Sequence, residues 1–185
     1  MDGIYQKALN DLGGLKKLFE QYKPKILFGD TPNCSIQEDF GMIDELTPGN
    51  FVFYDLVQHS LGACSVEEIA VAMECPVAGR YPAGERLLIH GGAVHFSKES
   101  LQRNGSSIFG QLVQQTVQGW TETEDQKYLS SISQEHGVFE QCGELIREVN
   151  IGDKLLFLPV HSCLTANLMR EYLSLDGIPI ATLNL

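Results

Sequence analysis

The stretch Lys154-Leu155-Leu156-Phe157-Leu158-Pro159-Val160-His161-Ser162-Cys163 decides how the chain is read. Gly152 and Asp153 are turn residues, and the apolar run that follows them to Leu158 reads as a strand. Continued to its end, that strand carries His161 and Cys163 two residues apart. Side chains at i and i+2 of a strand leave from the same face. An imidazole and a thiol then converge on one point, the donor pair that suits a borderline-soft ion such as zinc. The competing reading is a strand-end histidine beside a buried cysteine, since unbound cysteine is among the most buried residue types. Two ligands alone do not make a site, so the surrounding chain has to decide.

The chain has 185 residues, of which 43% are hydrophobic, enough for one ordinary domain with a real core. A formal net charge of −11 argues against a nucleic-acid surface, because phosphate contacts need clustered Lys and Arg. No run of about 18 apolar residues is present, so no membrane-spanning segment is expected. The opening Met1-Asp2-Gly3-Ile4-Tyr5 lacks a basic segment followed by an apolar one, and no secretory signal is expected. Cys34, Cys64, Cys75, Cys142 and Cys163 are odd in number and irregular in spacing. They suit free thiols or a metal ligand in a reducing, cytoplasmic setting better than a disulfide framework.

Outward from the His-x-Cys segment, two different textures meet. Ile4, Ala8, Leu12, Leu15, Leu18 and Phe19 recur at helical spacing, with Gly13 and Gly14 each weakening the middle by about 1 kcal/mol relative to alanine. Lys23-Pro24 closes that helix, and Lys25-Ile26-Leu27-Phe28 reads as a short strand entering the loop Gly29-Asp30-Thr31-Pro32. From about Ile43, short strands alternate with Gly, Pro and Asn/Asp: Phe51 to Tyr54, Cys75 to Ala78, Arg86 to His90, the run ending at Val160, and Ile178 to Ala181. His95 and Lys98 fall on a further glycine-rich strand. Gln102 to Ser131 has little periodicity and reads as a long excursion around Trp120. The expected architecture is mainly β, a barrel or sandwich, preceded by a single helix–strand unit.

Taken together, these segments resemble the C-terminal part of the D-threonine aldolase and D-serine dehydratase family. The resemblance rests on Gly29-Asp30-Thr31-Pro32, Pro48-Gly49-Asn50-Phe51-Val52-Phe53-Tyr54-Asp55, Gly91-Gly92-Ala93-Val94-His95-Phe96-Ser97-Lys98, Ser133-Gln134-Glu135-His136-Gly137 and Pro159 to Cys163, in that order. It implies a pyridoxal-phosphate enzyme of the alanine-racemase fold type, with an N-terminal (β/α)8 barrel and a C-terminal β-barrel-like domain. Residues 1–40 would then be the last helix and strand of the barrel, and 41–185 the β-domain with its metal site.

The resemblance also implies roles. His161 and Cys163 correspond to the pair that holds a divalent ion; cysteine in place of aspartate resembles the dehydratase branch and favours zinc over manganese. Gly29, Asp30 and Thr31 occupy a loop where barrel enzymes often bind phosphate, although an ordinary polar turn after a strand would look the same. Glu135 and His136 are candidates for a substrate-facing, catalytic role or for a solvated turn. Asp55 could orient a neighbour or cap a turn. The substrate would be a D-hydroxy amino acid, losing water or undergoing retro-aldol cleavage.

The chain departs from the pattern in one respect. The family's cofactor lysine lies in an Arg-Pro-His segment followed by two lysines, and none of the eight lysines here stands in such a context; Lys98 is rejected for that role. The expectation is a C-terminal portion, inactive alone, that needs a missing barrel domain or an N-terminal partner chain and can form a homodimer. The alternative is a stand-alone β-domain that binds metal or a partner without catalysis. A cysteine-nucleophile hydrolase at Cys163 is poorly supported, because His161 has no third group to orient it as a base. Exposure of Ile4, Leu9 and Ile26 to Phe28 separates the first two readings.

Overall fold

The structure, a computed structural model, describes residues 2–182. The first helix, α1, spans Asp2–Leu18. A 3-10 turn at Glu20–Tyr22 leads to β1 (Leu27–Phe28), α2 (Thr31–Ile36) and β2 (Glu45–Leu46). A second 3-10 turn at Asn50–Val52 precedes α3 (Leu56–Ser60). Then come β3 (Met73–Tyr81), β4 (Arg86–His90) and α4 (Ala93–Phe96). The next five strands are β5 (Leu101–Arg103), β6 (Ser106–Ile108), β7 (Gly110–Thr116), β8 (Gly119–Glu122) and β9 (Leu129–Ile132). The chain continues through β10 (His136–Phe139), α5 (Leu145–Glu148), β11 (Lys154–Pro159), α6 (Ser162–Met169), β12 (Glu171–Leu173) and β13 (Pro179–Ala181).

Seven strands form one antiparallel sheet in the order β8-β7-β11-β3-β4-β10-β9. The protein is mainly β as expected. The strand order has two ends, so the sheet is not a closed barrel. It curls all the same: Phe109 and Leu112, at β7, donate their backbone N–H groups to the carbonyls of Leu129 and Lys127 near the opposite edge. Apolar side chains fill both faces. Phe157 of β11 and Leu112 of β7 belong to one cluster with Leu87, Ile89, Phe96 and Phe139. Their neighbours Leu158 and Val113 belong to the other, with Leu56, Ile69, Trp120 and Val160. Each such side chain contributes roughly 1.5–3 kcal/mol when fully buried. Trp120 satisfies its indole N–H on the carbonyl of Ile69 at 2.6 Å.

Three expectations are corrected here. Gln102 to Ser131 is no excursion but a run of strands, β7 among them at the heart of the sheet. Phe51 to Tyr54 is not a strand: the Asn50 carbonyl accepts from Phe53 and Tyr54, closing a tight turn, and Tyr54 is left-handed at φ 49°. His95 lies in α4 rather than on a strand, with exposed Lys98 beyond it. The Gly91-Gly92 turn explains the break. Its backbone runs so close to the β10 entry that a Cβ on Gly92 would sit 2.5 Å from the His136 nitrogen.

The opening unit stands apart from the large sheet. β1 pairs in parallel with β2 alone. Tyr5 anchors α1, its ring packing edge-on to Phe28 and its hydroxyl donating to the Asp39 carbonyl at 2.8 Å. Ile26 and Phe28 are buried beneath it. Much of the apolar stripe is uncovered: Ile4 is 69% exposed, Leu18 72% and, on β1, Leu27 55%, while Ala8, Leu9 and Leu12 are half-buried. Among the described residues no helix is long and apolar enough to cross a membrane.

Candidate active-site face

The β11 ladder ends at Pro159, and two residues later the chain turns into α6. His161 is the N-cap residue of α6 with extended dihedrals (φ −132°, ψ 101°), and Cys163 lies in its first turn. The pair therefore does not leave one face of a strand, as the sequence suggested. It sits on a strand-to-helix corner. Ser162, buried between them, donates its hydroxyl to the carbonyl of Tyr54. The corner is also tied to α4, because the Thr165 hydroxyl contacts the Phe96 carbonyl at 3.3 Å.

Beneath the corner lies Asp55, 1% exposed. One carboxylate oxygen accepts the Gln58 N–H at 2.9 Å and caps α3. The other accepts the Ser162 N–H at 3.1 Å and the Asn50 side-chain N–H at 2.6 Å. Both readings of Asp55 hold, since it caps one helix and orients a second. A carboxylate this buried requires donors, so the Asn50 amide is oriented with its nitrogen towards Asp55. Its oxygen then faces Cys163 and accepts the thiol at 3.3 Å. The Asn50 backbone N–H donates to the Thr31 hydroxyl at 3.1 Å.

Asn50 thus joins three segments, the Thr31 loop, Asp55 and the α6 corner. Pro48-Gly49-Asn50 was legible as a turn, but this role was not. Tyr54 belongs to the same assembly, with its hydroxyl 3.0 Å from the Ser35 hydroxyl on α2.

Gly29, Asp30 and Thr31 lead into α2, with Asp30 at its N-cap. A Cβ on Gly29 would press on the Thr47 carbonyl at 3.2 Å. Thr31 is buried, its hydroxyl accepts the Asn50 N–H and keeps its own proton to donate, and the first turn of α2 offers the N–H groups of Thr31 and Asn33 but none from Pro32. These donors suit an anion. The Asp30 carboxylate, which accepts from the Asn33 side chain, works against one.

The donor chemistry at the corner suits a soft or borderline cation. The His161 ring is half-buried and has no hydrogen-bond partner among the described residues. The Cys163 thiol is pushed up, first by burial and then by the Asp55 charge, so coordination would have to displace its proton. Among the described residues no three His, Cys, Asp or Glu side chains converge as a metal cage. Two protein donors leave positions open to substrate or water, which is the property of a reactive rather than a structural metal site.

Glu135 and His136 lie at the entry to β10, beside the α4 turn. His136 opens β10 and its ring is 5.8 Å from that of His90, which in turn is 4.9 Å from the ring of His95. No hydrogen bond or ring contact between described residues joins Glu135 or His136 to His161 or Cys163. His95 Nδ1 accepts the Gly92 N–H at 3.1 Å, so this imidazole is neutral with its proton on Nε2. Its pKa is lowered, chiefly by burial and then by the charge of His90.

The chain is 28% identical over 179 residues to the D-serine dehydratase of Dictyostelium discoideum, covering 92% of this chain and 42% of that protein. It therefore spans less than half the length of this curated relative. An alanine-racemase-like protein from Idiomarina loihiensis superposes with a TM-score of 0.73 at 27% identity, over 89% of this chain and 45% of that one. D-threo-3-hydroxyaspartate dehydratase from Delftia sp. HT23 superposes with a TM-score of 0.75 at 22% identity, over 90% of this chain and 46% of that one. A D-threo-3-hydroxyaspartate dehydratase is also known as a cysteine-to-alanine variant in a metal-free form and as a histidine-to-alanine variant, the two positions lying two residues apart. The family model described as "Putative serine dehydratase domain" matches residues 70–175, more than half of the 185 residues, and the chain belongs to that family.

Proposed function

We propose that this chain forms the C-terminal, metal-binding side of the active site of a pyridoxal-phosphate-dependent D-amino-acid dehydratase. The observation that carries this reading is the Asn50 bridge, which ties the Thr31 loop to the thiol of Cys163. In a dehydratase those two places have a common purpose. One holds the phosphate of the cofactor and the other presents a Lewis acid to the substrate. Support comes from the His-x-Cys spacing, repeated in residue type by the paired variants of D-threo-3-hydroxyaspartate dehydratase.

In this account His161 and Cys163 hold the divalent ion, and the thiol ligand favours zinc over manganese. Thr31 and the N–H groups around it hold the phosphate. When bound, the two groups supply electron withdrawal from the substrate α-carbon and polarisation of its β-hydroxyl. The protein residues fix position. Asp55 and Asn50 hold the α6 corner, and the left-handed Tyr54 presents the carbonyl that anchors Ser162. Glu135 and His136 belong to the histidine cluster on the neighbouring turn, and a substrate-facing role for them is retained as part of the proposal.

The substrate class is a D-amino acid with a β-hydroxyl, as in the names of the relatives. The Schiff-base lysine and most of the (β/α)8 barrel would come from a barrel domain or an N-terminal partner chain that packs on α1 and β1, whose apolar stripe is largely uncovered. Residues 1–40 then complete that barrel and 41–185 form the β-domain. Mixing the chain with an N-terminal barrel polypeptide and pyridoxal phosphate should yield D-serine breakdown that neither component shows alone. No turnover from a mixture in which the two polypeptides demonstrably associate would refute the reading.

A further inference from the structure

Three of the five histidines meet at one place, each carried by a different element. His90 ends β4, His95 lies in α4 and His136 opens β10. The His90 ring is the middle one, with its centroid 4.9 Å from that of His95 and 5.8 Å from that of His136. Glu135, beside His136, is the carboxylate whose charge acts on His95, and the exposed Lys98 and Glu99 follow α4. α6 packs on α4 and carries no charged side chain, its one titratable group being the Cys163 thiol.

The turn that carries His95 is fastened by backbone bonds to the neighbouring turn. Gly91, Ala93 and Val94 donate their N–H groups to the carbonyls of Glu135, Ser133 and Gln134 at 3.0, 2.9 and 3.0 Å. The N–H of buried Gly92, between them, goes to His95 Nδ1. A proton on Nδ1 removes that acceptor, orphans the donor and sets a cation beside the His90 ring. One residue on, the Phe96 carbonyl lies 3.3 Å from the Thr165 hydroxyl of α6, and the same hydroxyl lies 3.2 Å from the His161 carbonyl. The α4 turn and the α6 corner therefore share one group.

We propose that His90, His95 and His136 form an acid-released latch: the neutral His95 imidazole keeps the α4 turn closed on β10, and its protonation opens the turn and loosens α6 through Thr165. An open turn leaves His95 with an ordinary histidine affinity for protons. The closed turn holds that affinity lower, by burial first and then by the His90 charge. Protons therefore favour the open form, and its population grows as pH falls below the ordinary 6.5. His136 adds to the repulsion and Glu135 opposes it. The latch needs neither metal nor cofactor, so it stands or falls independently of the metal-site reading.

Hydrogen exchange of the purified chain tests it, read by peptide mass at about pH 7.5 and about pH 5.5 and corrected for the intrinsic exchange rate. Peptides over α4 and α6 should lose protection about fivefold or more at the lower pH, the scale of one lost hydrogen bond. Those over β3 and β11 should keep theirs. In His95→Asn the side-chain oxygen can take the place of Nδ1 and holds no proton, so both segments should stay protected. Thr165→Val should leave the α4 response intact and abolish that of α6. His90→Gln, at an exposed position, should weaken both responses, and it serves if His95→Asn does not fold. A parent whose α4 and α6 peptides respond no more than its β3 and β11 peptides would overturn the proposal. So would a His95→Asn response equal to the parent's, or an α6 response that survives Thr165→Val.

Discussion

Asp55 and Ser162 lie 107 positions apart in sequence, yet the carboxylate of one accepts the backbone N–H of the other at 3.1 Å. This bond sets where α6 begins, and so where Cys163 stands. The same carboxylate caps α3 and holds Asn50, which makes it the most connected acceptor at the site.

Replacing Asp55 with alanine strips the partners from three N–H donors in a buried place. The loss should be about 3 kcal/mol, the sum expected from one cap and one or two orphaned donors. Asp55→Asn should lose less, because an amide oxygen can still accept. Denaturant midpoints measure both. A change below about 0.5 kcal/mol for Asp55→Ala, the scale of an ordinary surface substitution, would contradict this assignment.

Gly92→Ala tests the close approach of the α4 turn to β10. Its Cβ would lie 2.5 Å from the His136 nitrogen and 2.7 Å from the Gln134 carbonyl oxygen, backbone atoms that cannot move aside cheaply. A loss of about 3 kcal/mol or more is expected. Gly14→Ala is the control with the opposite sign. Nothing lies within 4 Å of its position, and alanine in α1 should stabilise by about 1 kcal/mol. Thermal melts of the two variants should move in opposite directions.

His95 gives a pH dependence. Its folded-state pKa is lowered from the ordinary 6.5, chiefly by burial and then by His90, with His136 adding to the effect and Glu135 opposing it. Below 6.5 the unfolded chain takes the proton first, so stability falls as pH drops from the ordinary value towards the folded one. Protonation would also break the bond from Gly92, because Nδ1 could no longer accept. Stability measured from pH 7.5 to 5 should decline more steeply in the parent than in His95→Gln. Parallel curves would count against the neutral, capped imidazole.

The sequence carried the outline of the fold unevenly. β11 was readable because its apolar run is short, β-prone and opened by a turn. β7 was not, because Gly110, Gln111, Leu112 and Val113 are all buried where the sheet curls, which erases the alternation that marks a strand. The His-x-Cys pair stood out by type and spacing, but the strand geometry expected of it gave way to a strand-to-helix corner. His161 is the last extended residue, and Leu164 to Met169 continue as a helix that strand reasoning stopped short of. Asn50 was out of reach for another reason. Its partners Thr31 and Cys163 are 19 and 113 positions away, and no local pattern records such contacts.

The uncovered stripe on α1 and β1 should make the chain self-associate in the absence of a partner. Leu18→Glu with Leu27→Lys should shift its sedimentation towards monomer. An unchanged profile in a parent that does associate would place the contact elsewhere.

The central claim is that the α6 corner binds a metal ion through one imidazole and one thiolate. Metal analysis of the purified chain after zinc loading, against the variant with His161→Ala and Cys163→Ala, tests it most directly. The parent should retain about one zinc per chain, as two protein donors and open positions allow, and the double variant should retain none. Equal zinc in the two proteins would contradict the account.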